Sequence, residues 1–276
     1  MDEKEAEVTT LVTGATGNVG RHVVRELVAA GEPVRALTRD PARARFPAGV
    51  QVVRGDLGRP EGLRKALRGV ERLHMITLHD GETAAASRSF AEIAAEAGVR
   101  RAAVVPGGGE EHVIDAIRAA GIECAHIEPW EYMVNTLWWA DTIRAEGVVR
   151  EPFPWFRSSM VHEADIAAVA AAALLREGHE DRVYQVTGPE AITREQAVRT
   201  IGEVLGREIR FVELTREQAR EEWAAAGTPP EAADWLLDVR EDGEGMDLVT
   251  SDVEELTGRP ARGYARWVAD HADDFR

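Results

Sequence analysis

The sequence predicts an α/β fold, in which a doubly wound parallel sheet is followed by a smaller, mostly helical C-terminal region. Apolar runs rich in valine and isoleucine alternate with segments of helical period in the first half of the chain. This alternation is typical of successive βαβ units. After Glu128 it gives way to a region with more helical character and fewer apolar runs.

Six apolar segments are predicted as strands. Because crossovers between parallel strands are right-handed, we expect the carboxyl ends of these strands to form a ligand crevice at one edge of the sheet. The predicted strands are Thr9 to Thr13, Pro33 to Thr38, Val50 to Arg54, Arg72 to Thr77, Ala102 to Pro106 and Ile122 to Ile127.

The helices predicted between these strands end near glycines, as helix C-termini prefer. They are Val19 to Ala29, Pro60 to Arg68, Thr83 to Glu96 and Glu110 to Ala120, with glycines at Gly31, Gly69, Gly98 and Gly121.

The remainder is predicted to contain a tryptophan-bearing helix, a second helix and one more strand, at Pro129 to Ala145, Glu163 to Arg176 and Val183 to Thr187. Further helices are expected to begin at Thr193 and Thr215, and a break is expected at Thr228-Pro229-Pro230. We expect two domains, residues 1–129 with 162–188 and residues 130–161 with 189–276. The second is expected to cover the strand ends and to supply the substrate pocket.

Composition narrows the functional class. A formal net charge of -16 argues against binding to nucleic acid through its phosphates. The acidic start from Met1 to Glu7 is unlike a secretory signal, and the apolar run from Ala164 to Leu175 is too short to span a bilayer. The single cysteine, Cys124, is expected to be a buried small hydrophobe. We therefore expect a cytoplasmic protein without a membrane role.

The glycine-rich segment from Val12 to Gly20 follows the first predicted strand and opens the first helix. Gly14 permits a tight turn, Gly17 lets the backbone approach a diphosphate, and Gly20 lets the helix pack closely on the sheet. The diphosphate would then lie at the helix N-terminus. In this context the motif predicts a Rossmann-type dinucleotide site, and the alternative is an ordinary glycine-rich turn.

Arg39 follows the second predicted strand, where dinucleotide enzymes select their cofactor. A guanidinium there pairs with a 2′-phosphate, so Arg39 favours NADP, with Arg43 and Arg45 able to assist and Asp40 opposing it. The alternative is that Arg39 is an ordinary solvent-exposed residue of the loop. Asp56 follows the third predicted strand, where its carboxylate would accept a hydrogen bond from the adenine amino group. The alternative is a turn or helix-capping aspartate.

Motifs over nearly the whole chain resemble the NmrA-like branch of atypical short-chain dehydrogenases/reductases. They are Thr13 to Gly20, Arg39, Gly55-Asp56-Leu57, Glu128 to Asn135, Val161 to Ala167 and Tyr184 to Pro189. Members of this branch are NADPH-dependent reductases of quinones and related conjugated compounds, or redox-sensing regulators that bind the nucleotide without turnover.

The resemblance implies an NADP(H) site and places Glu128 to Tyr132 at the nicotinamide end. The cofactor-binding residues expected on this basis and from the strand ends are Gly14, Thr16, Gly17, Asn18, Val19, Gly20, Arg39, Asp56, Leu57, Thr77, Leu78, Pro106 and Pro129.

The chain departs from the family pattern at two places. Glu128 stands where an arginine is usual, which argues against an anionic substrate and favours a neutral or cationic one. After the fifth strand, where related reductases often carry serine, the chain has Pro106 and then Gly107 to Gly109, which offer backbone amides but no hydroxyl.

The tyrosine and lysine pair of ordinary short-chain dehydrogenases is absent. That pair places lysine four residues after tyrosine, lowering the tyrosine pKa so that it can protonate a developing alkoxide. Here the fourth residue after Tyr132, Tyr184 and Tyr264 is Thr136, Gly188 and Val268, respectively. Simple carbonyl reduction would lack its usual proton donor. A conjugated acceptor demands less, because it delocalises the charge that hydride addition creates.

Tyr132 and His79 are the candidate catalytic residues, with a buried structural tyrosine and an exposed loop histidine as the alternatives. The candidate substrate-binding residues are Trp130, Asn135, Trp155 and His162. Aromatic residues concentrate in this part of the chain, which favours a flat apolar ligand, although core packing or an oligomer contact would also explain them.

The leading hypothesis is an NADPH-dependent reductase of a conjugated, quinone-like or polycyclic aromatic small molecule, acting by direct hydride transfer. The alternatives are a non-catalytic NADP(H)-sensing protein and an isomerase or cyclase that retains the dinucleotide site. The chain has no Gly-x-Ser-x-Gly elbow, and neither His162-Glu163 nor Cys124 has the companions of a zinc site. No metal is therefore expected, and the protein is expected to be a monomer or a homodimer.

Overall fold

The computed structural model describes residues 8–76, 81–106, 111–243 and 246–276. Eleven strands lie in this part of the chain: β1 Thr9–Val12, β2 Val34–Thr38, β3 Gln51–Arg54, β4 Val70–Ile76, β5 Arg101–Val105, β6 Glu123–Pro129, β7 Val148–Glu151, β8 Arg157–Ser158, β9 Val183–Val186, β10 Ile192–Thr193 and β11 Arg210–Glu213.

Ten α-helices are found in the same residues: α1 Gly20–Ala29, α2 Gly81–Glu96, α3 Glu111–Ala119, α4 Ala140–Glu146, α5 Glu163–Leu175, α6 Arg194–Leu205, α7 Arg216–Ala225, α8 Pro230–Asp242, α9 Asp252–Thr257 and α10 Tyr264–Asp270. Short 3₁₀ helices span Pro60–Leu63, Met133–Trp139 and Ala272–Phe275. Among the described helices, none is long and apolar enough to cross a membrane.

Seven strands form one parallel sheet in the order β3-β2-β1-β4-β5-β6-β9. The chain reverses its direction of winding between β1 and β4, and ligands bind beyond the strand ends at such a switch point. The Rossmann-type fold predicted from the sequence is therefore confirmed. The six predicted strands of the first half are all present, within three residues of their expected limits.

The chain divides into two compact units. The first contains residues 1–129, 163–186 and 252–259, and the second contains residues 130–162, 187–251 and 260–276. This division differs from the expected domains chiefly at residues 252–259, which belong to the first unit because α9 packs against α5 and β9.

Each unit has its own apolar core. In the first, the sheet and its α2 and α3 side enclose fully buried side chains such as Leu73, Phe90 and Ile117. In the second, Trp267 lies at the centre of a core with Phe275 and Ile201. Each such buried side chain contributes about 1.5–3 kcal/mol to the free energy of unfolding.

Two predicted helices are wrong in form. The segment predicted from Pro60 to Arg68 is a 3₁₀ helix over Pro60–Leu63 followed by turns, because Gly62 lowers helix propensity where the segment begins. The tryptophan-bearing helix does not start at Pro129, which is the last residue of β6. The chain bends at Glu131 and forms a bridge at Tyr132, and helix follows as the 3₁₀ segment Met133–Trp139 and then α4.

A histidine is enclosed in the central strand of the sheet. His74 lies in β4 between Val12 of β1 and Ala103 of β5, and it is fully buried. Neither ring nitrogen has a hydrogen-bond partner among the described residues. Burial lowers the pKa of His74 to about 4, so the ring is neutral in the folded protein.

We predict that His74→Val reduces the acid sensitivity of folding. The pKa of this histidine is 6.5 in the unfolded chain and about 4 in the folded protein. Stability is therefore fully present above the unfolded pKa and falls as the pH drops through this window, by up to about 3 kcal/mol for this residue. Urea unfolding of both proteins as a function of pH measures the difference. Identical pH profiles for the variant and the unmodified protein would contradict the prediction.

Candidate dinucleotide-binding site

The turn after β1 is tied to the neighbouring strand β4. The backbone N–H of Thr13 donates to the carbonyl of His74, and the Thr13 hydroxyl accepts from the N–H of Ile76 at 3.1 Å. Gly14 follows with φ of 56°, and a Cβ at this position would come within 2.6 Å of Ile76 Cγ2. A side chain is therefore excluded at Gly14 by both backbone conformation and space.

Gly20 brings the start of α1 against this turn. A Cβ on Gly20 would lie 2.2 Å from the Gly14 carbonyl oxygen, which no packing change at a side chain can relieve. Gly17 is less crowded, because a Cβ there would be 3.1 Å from the same oxygen. Gly14 and Gly20 are therefore required by the fold, whereas Gly17 leaves room above the turn.

The N-terminus of α1 has the properties of an anion site. Val19 precedes the helix without a side-chain cap, and the first turn contains no acidic residue. Thr16, Gly17 and Asn18 are exposed, while Val19 is buried against the core. The positive end of the helix dipole and the backbone N–H groups of the exposed turn favour negative charge here. The turn therefore fits a dinucleotide diphosphate.

The end of β2 carries two arginines that are free to bind a ligand. Arg39 and Arg43 are exposed, and no carboxylate in the described residues pairs with either. Arg45 is instead engaged with the carbonyls of Ala42 and Ala44. The Asp40 carboxylate accepts from the N–H of Ala42, so it is used in the local turn.

Asp56 also has a local structural role. It is exposed just beyond β3, and its Oδ1 accepts from the backbone N–H of Gly58 at 3.0 Å. This is the turn role that the sequence left open, and it leaves the second carboxylate oxygen for a ligand. Leu57 beside it is half-buried and packs against the core of the first unit.

At the other strand ends, Pro106 is half-buried just after β5, and Pro129 ends β6. Glu128 precedes Pro129, with its Oε1 3.4 Å from Nε2 of His126 on the same strand. The predicted residues Thr77, Leu78 and His79, and the glycines 107–109, lie outside the described residues.

In the second unit, Tyr132 lies in an extended segment that pairs with Val161. The N–H of Val161 donates to the Glu131 carbonyl at 2.8 Å, and the N–H of Met133 donates to the Val161 carbonyl at 3.0 Å. Asn135 is half-buried in the following 3₁₀ helix, and its N–H donates to the Tyr132 carbonyl.

The predicted aromatic residues of this unit differ in exposure. Trp130 is half-buried, and Trp155 is about half exposed (53%) with its ring edge-on to Phe153. Phe153 adopts a φ of 53°, a left-handed conformation that is strained for a bulky residue. His162 is buried, with Nε2 4.0 Å from Asp270 Oδ2.

The other two tyrosines have structural partners. The Tyr184 hydroxyl lies 2.6 Å from Nδ1 of His179. The Tyr264 hydroxyl donates to Thr136 at 2.8 Å, and burial raises the Tyr264 pKa. Both hydroxyls are therefore engaged within the protein.

Two buried arginine–glutamate pairs in this unit were not predicted. Glu131 pairs with Arg194, and Glu151 with Arg240, both at 2.6 Å. Their partners are separated by 63 and 89 residues, and no motif links them. The only sequence signal was the position of Glu131 between two candidate site residues, Trp130 and Tyr132.

Comparison with known proteins places the chain among nucleotide-dependent reductases. A family described as NAD(P)H-binding matches residues 14–124, which include the glycine turn, Arg39 and Asp56. A (4-alkanoyl-5-oxo-2,5-dihydrofuran-3-yl)methyl phosphate reductase from Streptomyces griseus subsp. griseus is 40% identical over 280 residues, covering 96% of this chain and 98% of that protein.

Two further proteins are similar over nearly their whole length. An NAD(P)H azoreductase from Xenophilus azovorans is 32% identical, covering 96% of this chain and 98% of that protein. The crystal structure of an NADPH-dependent quinone oxidoreductase from Escherichia coli, complexed with NADPH, is 26% identical, with a TM-score of 0.80 and coverage of 96% and 100%.

We predict that Gly17→Ala weakens NADPH binding by about tenfold or more, because the new methyl group occupies the space above the turn that a diphosphate needs. The fold should be retained, since Gly17 does not have a positive φ and its nearest contact is 3.1 Å away. Gly62→Ala is the matched control, because a Cβ there meets nothing within 4 Å. Titration calorimetry measures both. Equal affinity of the two variants would contradict the assignment.

Proposed function

This chain belongs to the NmrA-like branch of atypical short-chain dehydrogenases/reductases, and on that basis we propose that it transfers a hydride from NADPH to a conjugated, neutral small molecule. It is an NAD(P)H-dependent oxidoreductase, as its relatives are named. The sequence-based predictions of family, fold and NADP(H) cofactor are confirmed. The substrate class and the roles of individual residues form the proposal.

The observation that carries the proposal is the absence of a lysine-supported tyrosine. The chain has two lysines, and neither Lys4 nor Lys65 is four residues after a tyrosine. Tyr184 and Tyr264 are engaged with His179 and Thr136. An isolated carbonyl develops a full alkoxide charge when it accepts a hydride, and this charge needs a strong proton donor. A conjugated acceptor spreads the charge over several atoms and needs less help.

The names of the relatives support a conjugated acceptor. The 4-alkanoyl-5-oxo-2,5-dihydrofuran of the first relative is a ring alkene conjugated to two carbonyl groups, and the others are named for azo compounds and quinones. All three groups contain a π system that accepts a hydride at one end and develops charge at the other. We infer the same requirement for this chain.

We propose that Arg39 and Arg43 select NADPH over NADH. Both are exposed beyond β2 without a carboxylate partner in the described residues, whereas Asp40, which opposed this choice, is engaged with Ala42. A guanidinium forms charge-assisted hydrogen bonds with a 2′-phosphate. Asp56 would accept from adenine with its remaining carboxylate oxygen.

In this proposal the protein mainly positions the cofactor and the acceptor relative to each other. The glycine turn and the N-terminus of α1 would hold the diphosphate, and the nicotinamide supplies the hydride when bound. Trp130 and Trp155 would contact a flat acceptor through their ring faces. Tyr132 would hold a proton near the acceptor oxygen as charge develops there, assisted by Asn135 as a hydrogen-bonding side chain. Addition of one hydride and one proton to the acceptor is a two-electron reduction, and the nicotinamide is oxidised by the same two electrons.

The charge of the acceptor separates this chain from its first relative. The substrate named for that relative carries a phosphate. Here Glu128 places a carboxylate at the carboxyl end of β6, where it is 40% exposed. A carboxylate at this position repels an anionic substrate, and salt weakens the repulsion because the group is exposed. We therefore propose that neutral acceptors are preferred to phosphorylated ones.

We predict that purified protein oxidises NADPH with neutral enones and quinones and not with isolated ketones or aldehydes. The decrease in absorbance of the reduced cofactor measures the rate against a blank without enzyme. A phosphorylated dihydrofuranone tests the charge preference. NADPH binding without turnover of any acceptor would refute the reductase and leave the nucleotide-sensing alternative.

We predict that Arg39→Ala raises the Kd of NADPH by about tenfold or more while leaving that of NADH unchanged, because only the 2′-phosphate contact is lost. Arg64→Ala is the control, since Arg64 is an exposed arginine of the same unit that pairs with Glu96. Fluorescence titration with both nucleotides measures the ratio. An equal loss for NADH would show that Arg39 does not contact the phosphate.

A further inference from the structure

We propose that Arg194 is a positioning residue for the reductase reaction, holding the segment from Trp130 to Met133 in place through its buried ion pair with Glu131. The inference rests on the proposed function, in which Tyr132 meets the acceptor. Arg194 itself is not proposed to touch substrate or cofactor.

Arg194 is held by three segments of the second unit. Its Nη2 donates to Glu131 Oε1 at 2.6 Å, and its Nη1 lies 3.6 Å from the sulfur of Met160. The guanidinium carbon lies 5.0 Å from the centre of the Phe156 ring, and the backbone N–H of Arg194 donates to the Phe156 carbonyl. Only 2% of Arg194 is exposed.

The base of this arginine is rigid. Arg194 is the first residue of α6, and Thr193 before it forms a capping box with Gln196, in which each side chain accepts from the other's backbone N–H. Thr193 also pairs with Arg157 in the two-stranded sheet of β10 and β8. Because the backbone of Arg194 is fixed in this way, its guanidinium can hold the Glu131 carboxylate in one place.

Glu131 transmits this position to the candidate site. Its backbone carbonyl accepts from the N–H of Val161, Tyr132 forms a bridge with Val161, and the N–H of Met133 donates to the Val161 carbonyl. The Glu131 side chain is bonded to Arg194, and its two neighbours in the chain, Trp130 and Tyr132, are the candidate substrate-binding and catalytic residues. Loss of the ion pair would remove the side-chain contact that fixes the backbone between these two residues.

Stability alone does not explain the pair. A cation at a helix N-terminus is disfavoured by the helix dipole, and burying two charges costs about as much as their attraction returns. Burial raises the pKa of Glu131, but the charges of Arg194 and Arg240 outweigh this effect and leave that pKa below its ordinary value. Glu131 therefore remains a carboxylate directed at a fixed cation, an arrangement suited to orientation.

The second buried pair provides a matched control. Glu151 and Arg240 are also joined at 2.6 Å and are similarly buried. Glu151 accepts from the indole of Trp139 and Arg240 lies 5.1 Å from the Trp223 ring centre, and neither residue belongs to the extended segment that contains Tyr132. Replacing this pair removes buried charge but leaves the hydrogen bond between Glu131 and Arg194 in place, although Arg240 also helps to lower the pKa of Glu131.

The experiment compares Glu131→Met/Arg194→Met with Glu151→Met/Arg240→Met. Each double variant replaces an ion pair with apolar side chains of similar length, so neither leaves an unpaired charge. Measured for each are the urea unfolding midpoint, kcat and KM with saturating NADPH, and hydrogen exchange of peptides containing Met133 and Val161. Arg194→Lys is the conservative variant, and Tyr132→Phe gives the loss expected when the proton donor is removed.

We expect the first double variant to lose about ten- to hundredfold in kcat, with faster exchange at Met133 and Val161 and little change in the unfolding midpoint, because misplacement of a catalytic group affects the chemical step. Arg194→Lys should recover part of kcat. The control pair should retain kcat and slow exchange. Unchanged kcat, or equal losses in both double variants, would overturn the proposal.

Hydrogen exchange separates this inference from the proposed function. If the unmodified protein reduces no acceptor, the reductase proposal fails, and exchange at Met133 and Val161 still decides whether Arg194 holds the segment. If exchange in the first double variant equals that of the unmodified protein, the positioning role is refuted even where activity falls.

Discussion

The contact between Gly20 and the carbonyl oxygen of Gly14 is the constraint on which the nucleotide site depends. A Cβ on Gly20 would lie 2.2 Å from this oxygen, so α1 can begin there only because the side chain is hydrogen. The close approach directs the uncapped N-terminus of α1 over the turn, where its N–H groups favour an anion. One backbone contact thereby joins sheet packing to the candidate diphosphate site.

Much of this arrangement follows from local sequence, which explains why it could be predicted. Strands that are buried on both faces have apolar sequences and are easily recognised. A glycine-rich turn between a strand and a helix has few interpretations other than a dinucleotide site. The helix starts at Thr193 and Thr215 could be predicted because both are local, and the structure shows each threonine capping its helix with a glutamine three residues later. Asp40 and Asp56 were harder, since a carboxylate can serve a turn or a ligand, and the structure shows the turn role in both.

The second unit was less predictable because its geometry depends on residues far apart in the chain. Tyr132 is extended through its pairing with Val161, whereas the local tryptophan-rich pattern favoured helix. The buried pairs of Glu131 with Arg194 and Glu151 with Arg240 have no local signature, since charged residues are expected at the surface unless their partner is known. Tertiary context overrides propensity at these positions.

The near absence of lysine bears on both the buried ion pairs of the second unit and the chemistry proposed for the chain. Arginine retains its charge when buried, so Arg194 and Arg240 can serve as fixed internal cations where a lysine would tend to lose its proton. The same choice removes the cation that ordinary short-chain dehydrogenases use to lower the tyrosine pKa, because a guanidinium locked in an ion pair with Glu131 or Glu151 is committed to structure. This supports the proposed function, in which the protein orients the reactants and a conjugated acceptor spreads the developing charge itself.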